Sequence, residues 1–290
     1  MRSKLFVPGT RPELFHKALS GPADAISIDL EDSVPEGVKA EARARVAEFL
    51  SSDEVRSSAK LIIVRVNALA SPHFEADVLA VVLPGLALLN LPKPESAADL
   101  HAAVAVIERA ETVNRVEHPV GILANIESPK ALRYAADIAA ADRRVVGLQL
   151  GYADLFEPLG IERGDAGNVH AAMFAMRMAA GEAGVFAYDG AFANVQDPDG
   201  YRAEAEMARR LGYLGKSCIH PSQIALANEV FRPSEADIAF ALRVIAQAQK
   251  ADGRKQGVFL VDGRMIDAPF IRRAEAIVAI ARNLGIVAGE

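Results

Sequence analysis

The chain carries a single cysteine, Cys218, in 290 residues. An internal disulfide is therefore impossible, and a reducing compartment, the cytoplasm, is the expected location. No cysteine–histidine grouping exists that could build a structural zinc site. No stretch reaches the roughly 18 uncharged apolar residues of a membrane span. The opening MRSKLFVPGTRPEL has no apolar run long enough for a signal peptide. Basic residues are not in excess. The formal net charge is −6, which argues against nucleic acid as the main partner, and an anionic ligand would need a local basic pocket. Gly9, Gly147, Gly151 and Gly215 fall into neither a GxGxxG nor a phosphate-loop pattern. No serine stands in a nucleophile elbow. Charged residues reach only 24% against 51% hydrophobic, which sets the chain apart from disordered ones and supplies a sizeable core.

What is present is a rhythm of short apolar runs alternating with longer helical stretches. The runs are Lys4–Val7, Ala25–Leu30, Leu61–Val66, Ala87–Leu91, Val120–Ile126, Val145–Leu150, Val185–Tyr188 and Lys216–Ile219. Most are continuous rather than alternating, as strands buried on both faces of a parallel sheet are. Helical patterns fill the gaps, over Val38–Leu50, Ala97–Val113, Lys130–Ala141, Val169–Gly181 and Tyr201–Leu211. Eight strands with intervening helices predict an α/β fold, a TIM-type (β/α)₈ barrel over residues 1–220, with an open doubly wound sheet as the alternative. Residues 221–290 then form a C-terminal extension. It comprises a helix capped by Ser234, an extended stretch with a turn at Asp262–Gly263, and a last helix over Ala268–Leu284. A barrel filled by its own side chains has no room inside for this extension, so it packs outside or reaches another subunit.

The strand ends are polar. The second is followed by Asp29, Glu31 and Asp32, the third by Arg65 and Asn67, and the fourth by Lys93. Glu127 follows the fifth, Asp154 the sixth, Asp189 the seventh and His220 the eighth. A barrel gathers these ends around one mouth. Glu127 and Asp154, on neighbouring strands, are the candidate Mg²⁺ ligands, since two carboxylates leave positions for waters and substrate oxygens. Each also has a plainer reading as a charge or cap at a helix start. Arg65 ends the apolar strand LIIVRVN and needs an anionic partner: Asp32 or Glu31 in a structural pair, or a carboxylate or enolate oxygen in a functional one. Arg2, Lys4, Arg11 and Lys17 stand near the first strand or the N-terminus and are candidates for binding phosphates, with surface solubility an equal explanation of them.

The segments RSKLFVPGTRPE, DAISIDLEDSVPEGVKAEAR, VRVN, LPK, NIESP, GLQLGYADLFEPLG, GYLGKSCIHPSQIALANEVFRPS and VDGRMIDAP resemble the citrate lyase β-subunit-like family within the HpcH/HpaI aldolase group. They run from Arg2 to about Pro269. The resemblance implies a TIM barrel, Mg²⁺, an acyl-CoA or acyl-carrier-protein thioester substrate cleaved to a 2-oxo acid, and an oligomer that is often a homotrimer. It assigns Arg65 as a substrate and enolate contact and Glu127 and Asp154 as metal ligands that also meet substrate. It assigns Asp267 as an acid/base that enters a neighbouring subunit's site; a turn or capping acid is the plainer reading of that residue. Three residues depart from the family pattern, Asn90 in ALLNLPK and Gln149 and Phe156 in GLQLGYADLFEPLG, and bear on which substrate is taken. The expected reaction is a reversible Claisen-type cleavage of a 3-hydroxyacyl thioester, such as a citryl, citramalyl or malyl one. Asp29, Glu31, Asp32 and a metal-bound water are the candidate bases for the hydroxyl. A metal-dependent aldolase acting on a free hydroxy-oxo acid and a non-catalytic CoA-binding subunit are the alternatives.

Overall fold

The eight apolar runs form one parallel sheet in a computed structural model, which describes residues 1–252 and 257–287. The strands are β1 (Ser3–Pro8), β2 (Ala25–Asp29), β3 (Leu61–Arg65), β4 (Leu88–Leu91), β5 (Gly121–Ile126), β6 (Val145–Leu150), β7 (Phe186–Tyr188) and β8 (Lys216–Cys218). Their spatial order is β7-β6-β5-β4-β3-β2-β1-β8, so sequence neighbours are spatial neighbours and β8 returns to β1. Ile26, Ile28, Ile62, Val64, Leu89, Ile122 and Leu148 are sealed from solvent under the surrounding helices. That burial on both faces is why the strand sequences read as continuous apolar runs.

Helix starts follow local capping chemistry. Ser96 Oγ accepts from Asp99 N, Ser128 Oγ from Ala131 N and Asp197 Oδ1 from Gly200 N, each satisfying an otherwise orphan donor. One expected helix is two. The stretch Lys130–Ala141 splits into Pro129–Arg133 and Ala135–Ala140, because Tyr134 leaves the helical region at φ −103, ψ 17.

The barrel closes between β7 and β8 by a short seam. Asp189 pairs with Lys216 in a single bridge, supported by Asp189 N to Gly215 O at 2.9 Å, Ser217 N to Asp189 O at 3.0 Å and Leu214 N to Ala187 O at 2.9 Å. Behind it lies a buried charge cluster. Lys216 Nζ sits 2.6 Å from Asp189 Oδ2 and 2.5 Å from Glu204 Oε1, Tyr152 donates to Asp189 Oδ1, and Arg163 clasps Glu204 with two bonds. These acids hold the Lys216 ammonium above its ordinary range against the opposing effect of burial, which is the largest single influence on it. Asp189, expected at the mouth, is instead fully buried in this seam.

The first compact unit runs to Phe231, past the expected boundary at 220, because helix Ser222–Val230 packs back on β1 and β8. The second unit, from Arg232, has a core of Ala241, Val244, Val261, Ile266, Ala274 and Val278. Ser234 caps its first helix, Glu235–Asp252, by accepting from Asp237 N. Strands β9 (Phe259–Val261) and β10 (Arg264–Ile266) pair antiparallel about a turn with Asp262 and Gly263 at φ 51 and 78, the two left-handed positions of a type I′ hairpin. Helix Ala268–Asn283 follows. No helix among the described residues is long and apolar enough to cross a membrane.

Candidate active site

At the carboxyl ends of the strands lies a cleft of about 430 Å³ lined by Phe6, Asp32, Arg65, Glu127, Gln149 and Asp154 among others. Its acidic wall begins with Asp29 at the end of β2. The two oxygens of Asp29 accept from Glu31 N and Ser33 N, and they also take the fork of Arg65, Nε at 2.7 Å and Nη2 at 2.8 Å. The principal partner of Arg65 is thus Asp29, a residue adjacent to the pair expected from the sequence. Nη1 remains for Asp32 Oδ2 at 3.1 Å and Glu31 Oε2 at 3.0 Å. Burial opposes charge on both partners, yet the pairing holds Asp29 below the usual carboxylate range and raises Arg65 further. The guanidinium also rests on the Phe6 ring, 5.3 Å from its centroid. Lys39, whose Nζ donates to the carbonyls of Leu30 and Glu31, and Asn67, whose amide donates to Leu30 O, pin the loop that presents Glu31 and Asp32. The asparagine of VRVN is therefore a scaffold residue.

Lys93, a strand-end residue in the sequence with no assigned role, is the hub of the mouth. Its Nζ lies 3.1 Å from Glu31 Oε1, 3.2 Å from Asp154 Oδ1 and 4.0 Å from Asp32 Oδ1. These acids raise its ammonium above the ordinary lysine range against partial burial. Its backbone is left-handed at φ 55, a conformation uncommon outside glycine. That turn aims its N–H at Glu127 Oε2, 3.1 Å away.

Glu127 does not cap the helix that follows it; Ser128 does. Among the described residues the carboxylate takes only neutral donors, the Lys93 amide and Asn125 Nδ2, and Asn125 is steadied in turn by Asn90. A side chain at Gly151 would meet Glu127 Oε1 at 2.3 Å, so the absence of a Cβ there lets the carboxylate lie across β6. Burial first, then the charges of Glu31 and Asp154, push the Glu127 carboxyl up to about 7. Asp154 stands in the first turn of Tyr152–Phe156, partly exposed, as a helix-start acid does. A buried carboxylate without a direct cationic partner, facing a second carboxylate across the same cleft, is the electrostatic complement of a hard cation. Among the described residues no three acidic, histidine or cysteine side chains converge into an all-protein cage, so an ion here would take its remaining ligands from water and substrate.

The other sequence candidates are dispersed. Arg2 precedes β1 at the opposite end of the barrel and is tied to Asp24 by a bidentate pair, so it does not reach the mouth. Lys4 is wholly buried inside the barrel on Gln149. Neither reaches a phosphate at the cleft: Arg2 precedes β1, at the end of the barrel opposite the mouth, and Lys4 is sealed inside it. Arg11 and Lys17 are exposed just after β1, Arg11 paired with Glu13. Asp267, in the second unit, starts helix Ala268–Asn283 without capping it by its side chain. Its Oδ1 is shielded from solvent and has no hydrogen-bond partner among the described residues. The capping explanation of this acid is therefore not met. His220 lies exposed beside Ser222.

Two residues escaped the sequence reading, Arg163 and Phe6, both lining the cleft. Arg163 sits in a loop with no periodic pattern, and Phe6 reads as one more core residue of β1.

The model of the HpcH/HpaI aldolase/citrate lyase family matches residues 2–221. The chain is 34% identical to an L-malyl-CoA/β-methylmalyl-CoA lyase of Cereibacter sphaeroides, over 98% of this chain and 95% of that one. It is 37% identical to a citrate lyase subunit β-like protein of Deinococcus radiodurans, over 96% of each. A crystal structure of the protein CitE from Mycobacterium tuberculosis, in complex with magnesium, acetoacetate and coenzyme A, superposes with a TM-score of 0.74 at 30% identity, covering 97% of this chain and 99% of that one. From the matched residues, the eight-stranded barrel and these relatives, the chain belongs to the HpcH/HpaI aldolase/citrate lyase family.

Proposed function

We propose that the protein is a Mg²⁺-dependent carbon–carbon lyase that cleaves, or in reverse forms, a 3-hydroxyacyl-CoA thioester to give an acyl-CoA and a 2-oxo acid. The observation that carries this reading is the buried Glu127 carboxylate, lacking a direct cationic partner and sharing one cleft with Asp154 and Arg65. Glu127 and Asp154 would hold Mg²⁺, which when bound would supply Lewis-acid polarisation of the oxygens on the hydroxyl-bearing carbon. Asp32, which lines the cleft, accepts the hydroxyl proton, while Glu31 acts behind it by holding Arg65 and Lys93. The carbon–carbon bond breaks, the hydroxyl carbon becomes the oxo carbon of the product acid, and the electron pair passes to the thioester as an enolate. Arg65 stabilises the enolate oxygen. Asp267 of the partner subunit returns a proton to the enolate carbon. Arg11, exposed in the loop just after β1, serves the phosphates of coenzyme A, while Lys17 lies further on in helix Phe15–Ser20.

The defining experiment incubates the purified protein and Mg²⁺ with a panel of 3-hydroxyacyl-CoAs and follows acyl-CoA and 2-oxo acid release. Turnover of the free hydroxy-oxo acids with none of any thioester would overturn the reading in favour of an aldolase.

The shared site has its own test. The Asp267 carboxylate neither caps its helix nor finds a partner in its own chain among the described residues, and closed rotational symmetry would give every site one such donor. Asp267→Ala and Arg65→Ala proteins should each be nearly inactive. After subunit exchange, mixed oligomers should regain a fraction of the activity, because some interfaces then join an intact Arg65 to an intact Asp267. Proven exchange without recovery, or a fully active monomer, would place Asp267 elsewhere.

A further inference from the structure

Beneath the acidic mouth the barrel interior holds a second polar arrangement that the proposed reaction does not use. Gln149 lies on β6 in register with Asn125 of β5 and Tyr188 of β7, two residues before Gly151, and it lines the floor of the cleft. The residue is almost wholly buried, at 4% exposure. Its Oε1 accepts from Lys4 Nζ and, more distantly, from Ser217 Oγ at 3.5 Å. Lys4 is itself sealed in the barrel at 0% exposure, with the Phe6 and Tyr188 rings at 4.4 and 5.5 Å and the charges of Arg65, Glu127 and Asp29 acting on it. A lysine amine presents N–H donors in either protonation state. Lys4 Nζ and the Ser217 hydroxyl both face the amide oxygen, which therefore points inward. A carboxamide is planar, with its nitrogen opposite its oxygen. The Nε2 group is thereby turned away from Lys4, and it has no acceptor among the described residues. Glu127 is not that acceptor: its donors are Lys93 N and Asn125 Nδ2. The cleft lining also carries the apolar Phe6, Leu150, Ala191 and Phe192.

Nε2 opens onto the cleft, and a bound ligand that shuts out water there without offering an acceptor would strand this donor, so the position discriminates for a ligand that supplies one. We propose that Gln149 is a specificity-determining residue whose Nε2 donates to an oxygen on the side chain of the 2-oxo acid portion of the substrate, and that Lys4 is the positioning residue that holds the amide in that orientation. This rests on the proposed function, in which the oxo and carboxylate oxygens are already engaged at Glu127 and Asp154. The oxygen left for Gln149 is then one carried beyond the oxo carbon, so the preferred class is a 2-oxo acid with an oxygenated rather than a hydrocarbon side chain.

The test compares 3-hydroxypyruvate with 2-oxobutyrate, which differ by a hydroxyl in place of a methyl. Each is titrated calorimetrically into the full-length protein with Mg²⁺. The native protein should bind 3-hydroxypyruvate about tenfold or more tighter, the scale of one hydrogen bond whose loss strands a buried donor. In Gln149→Leu the ratio should collapse to near one or invert. Lys4→Met removes a buried polar head from beside two aromatic rings, keeps the side-chain length and frees the amide to turn. It should also collapse the ratio, and it preserves the test should Gln149→Leu fold poorly. Equal binding of both acids by the native protein, or a ratio unchanged in both variants, would overturn the assignment of Gln149 while leaving the lyase reading standing. Binding of neither acid in the presence of Mg²⁺ would overturn both.

Discussion

Glu127→Gln should abolish turnover and Mg²⁺ binding while leaving the metal-free protein at least as stable as its parent above neutral pH. The two halves have one cause. Burial, reinforced by Glu31 and Asp154, pushes the Glu127 carboxyl up to about 7 in the folded protein, from an ordinary value of 4.5. Between those values the folded state keeps a proton that the unfolded chain has released. The stability associated with this group is therefore fully present below pH 4.5 and is lost as pH rises through about 7. Glutamine imitates the protonated form and escapes that loss. A bound cation reverses the preference, because it needs the ionised carboxylate, so Mg²⁺ affinity in the native protein should fall as pH drops below about 7. Asp154→Asn should also abolish activity, without the gain in stability, because its side chain is partly exposed. Thermal melts in EDTA and Mg²⁺ titrations between pH 6 and 8 separate these effects. Full activity in EDTA, or in either variant, would remove the metal from the mechanism.

Arg65→Lys should lower kcat by about 10²–10³, the usual consequence of losing one oxyanion donor. It should also carry a measurable stability cost. Arginine here spends Nε and Nη2 on Asp29 and turns Nη1 toward Glu31 and Asp32. A lysine keeps the charge but cannot reproduce that fork. Removing the charge outright would leave Asp29 buried and uncompensated, at roughly 3–5 kcal/mol; the lysine variant should lose less. The structural and catalytic readings of Arg65 are thus joined in one side chain. Activity normalised to the folded fraction, measured well below the melting transition, isolates the catalytic part. Near-normal kcat in the folded fraction together with a large drop in Tm would reduce Arg65 to an ion-pair residue.

The strand positions were legible because parallel strands buried on both faces leave continuous apolar runs, and every expected run holds a strand. The same burial concealed which way the polar residues within those runs point. Lys4 and Gln149 face the barrel interior, whereas Lys216 faces the helix that carries Glu204. With apolar neighbours on both sides, no alternation in the sequence distinguishes inside from outside. Glu127, Asp154 and Arg65 stood out because charged residues at strand ends are conspicuous. Asp189 looked the same in sequence yet faces the seam, since its partner Lys216 opens the next apolar run and nothing local in the sequence pairs the two. The hub role of Lys93 depends on a left-handed backbone that no residue type advertises. The split at Tyr134 lay hidden because the residues on either side share one helical periodicity.

A barrel is a hoop, and its resistance to springing open is that of its shortest join. Here every other neighbouring pair of strands is held by a ladder, whereas β7 and β8 meet at one bridge backed by Lys216, Asp189 and Glu204. The join is clamped by charge rather than by apolar surface. The penalty for keeping charges out of water falls with temperature, while the apolar contribution levels off. Warming therefore weakens this clasp less than it weakens a join made of hydrocarbon, so the narrowest part of the hoop need not be the first to fail in the heat.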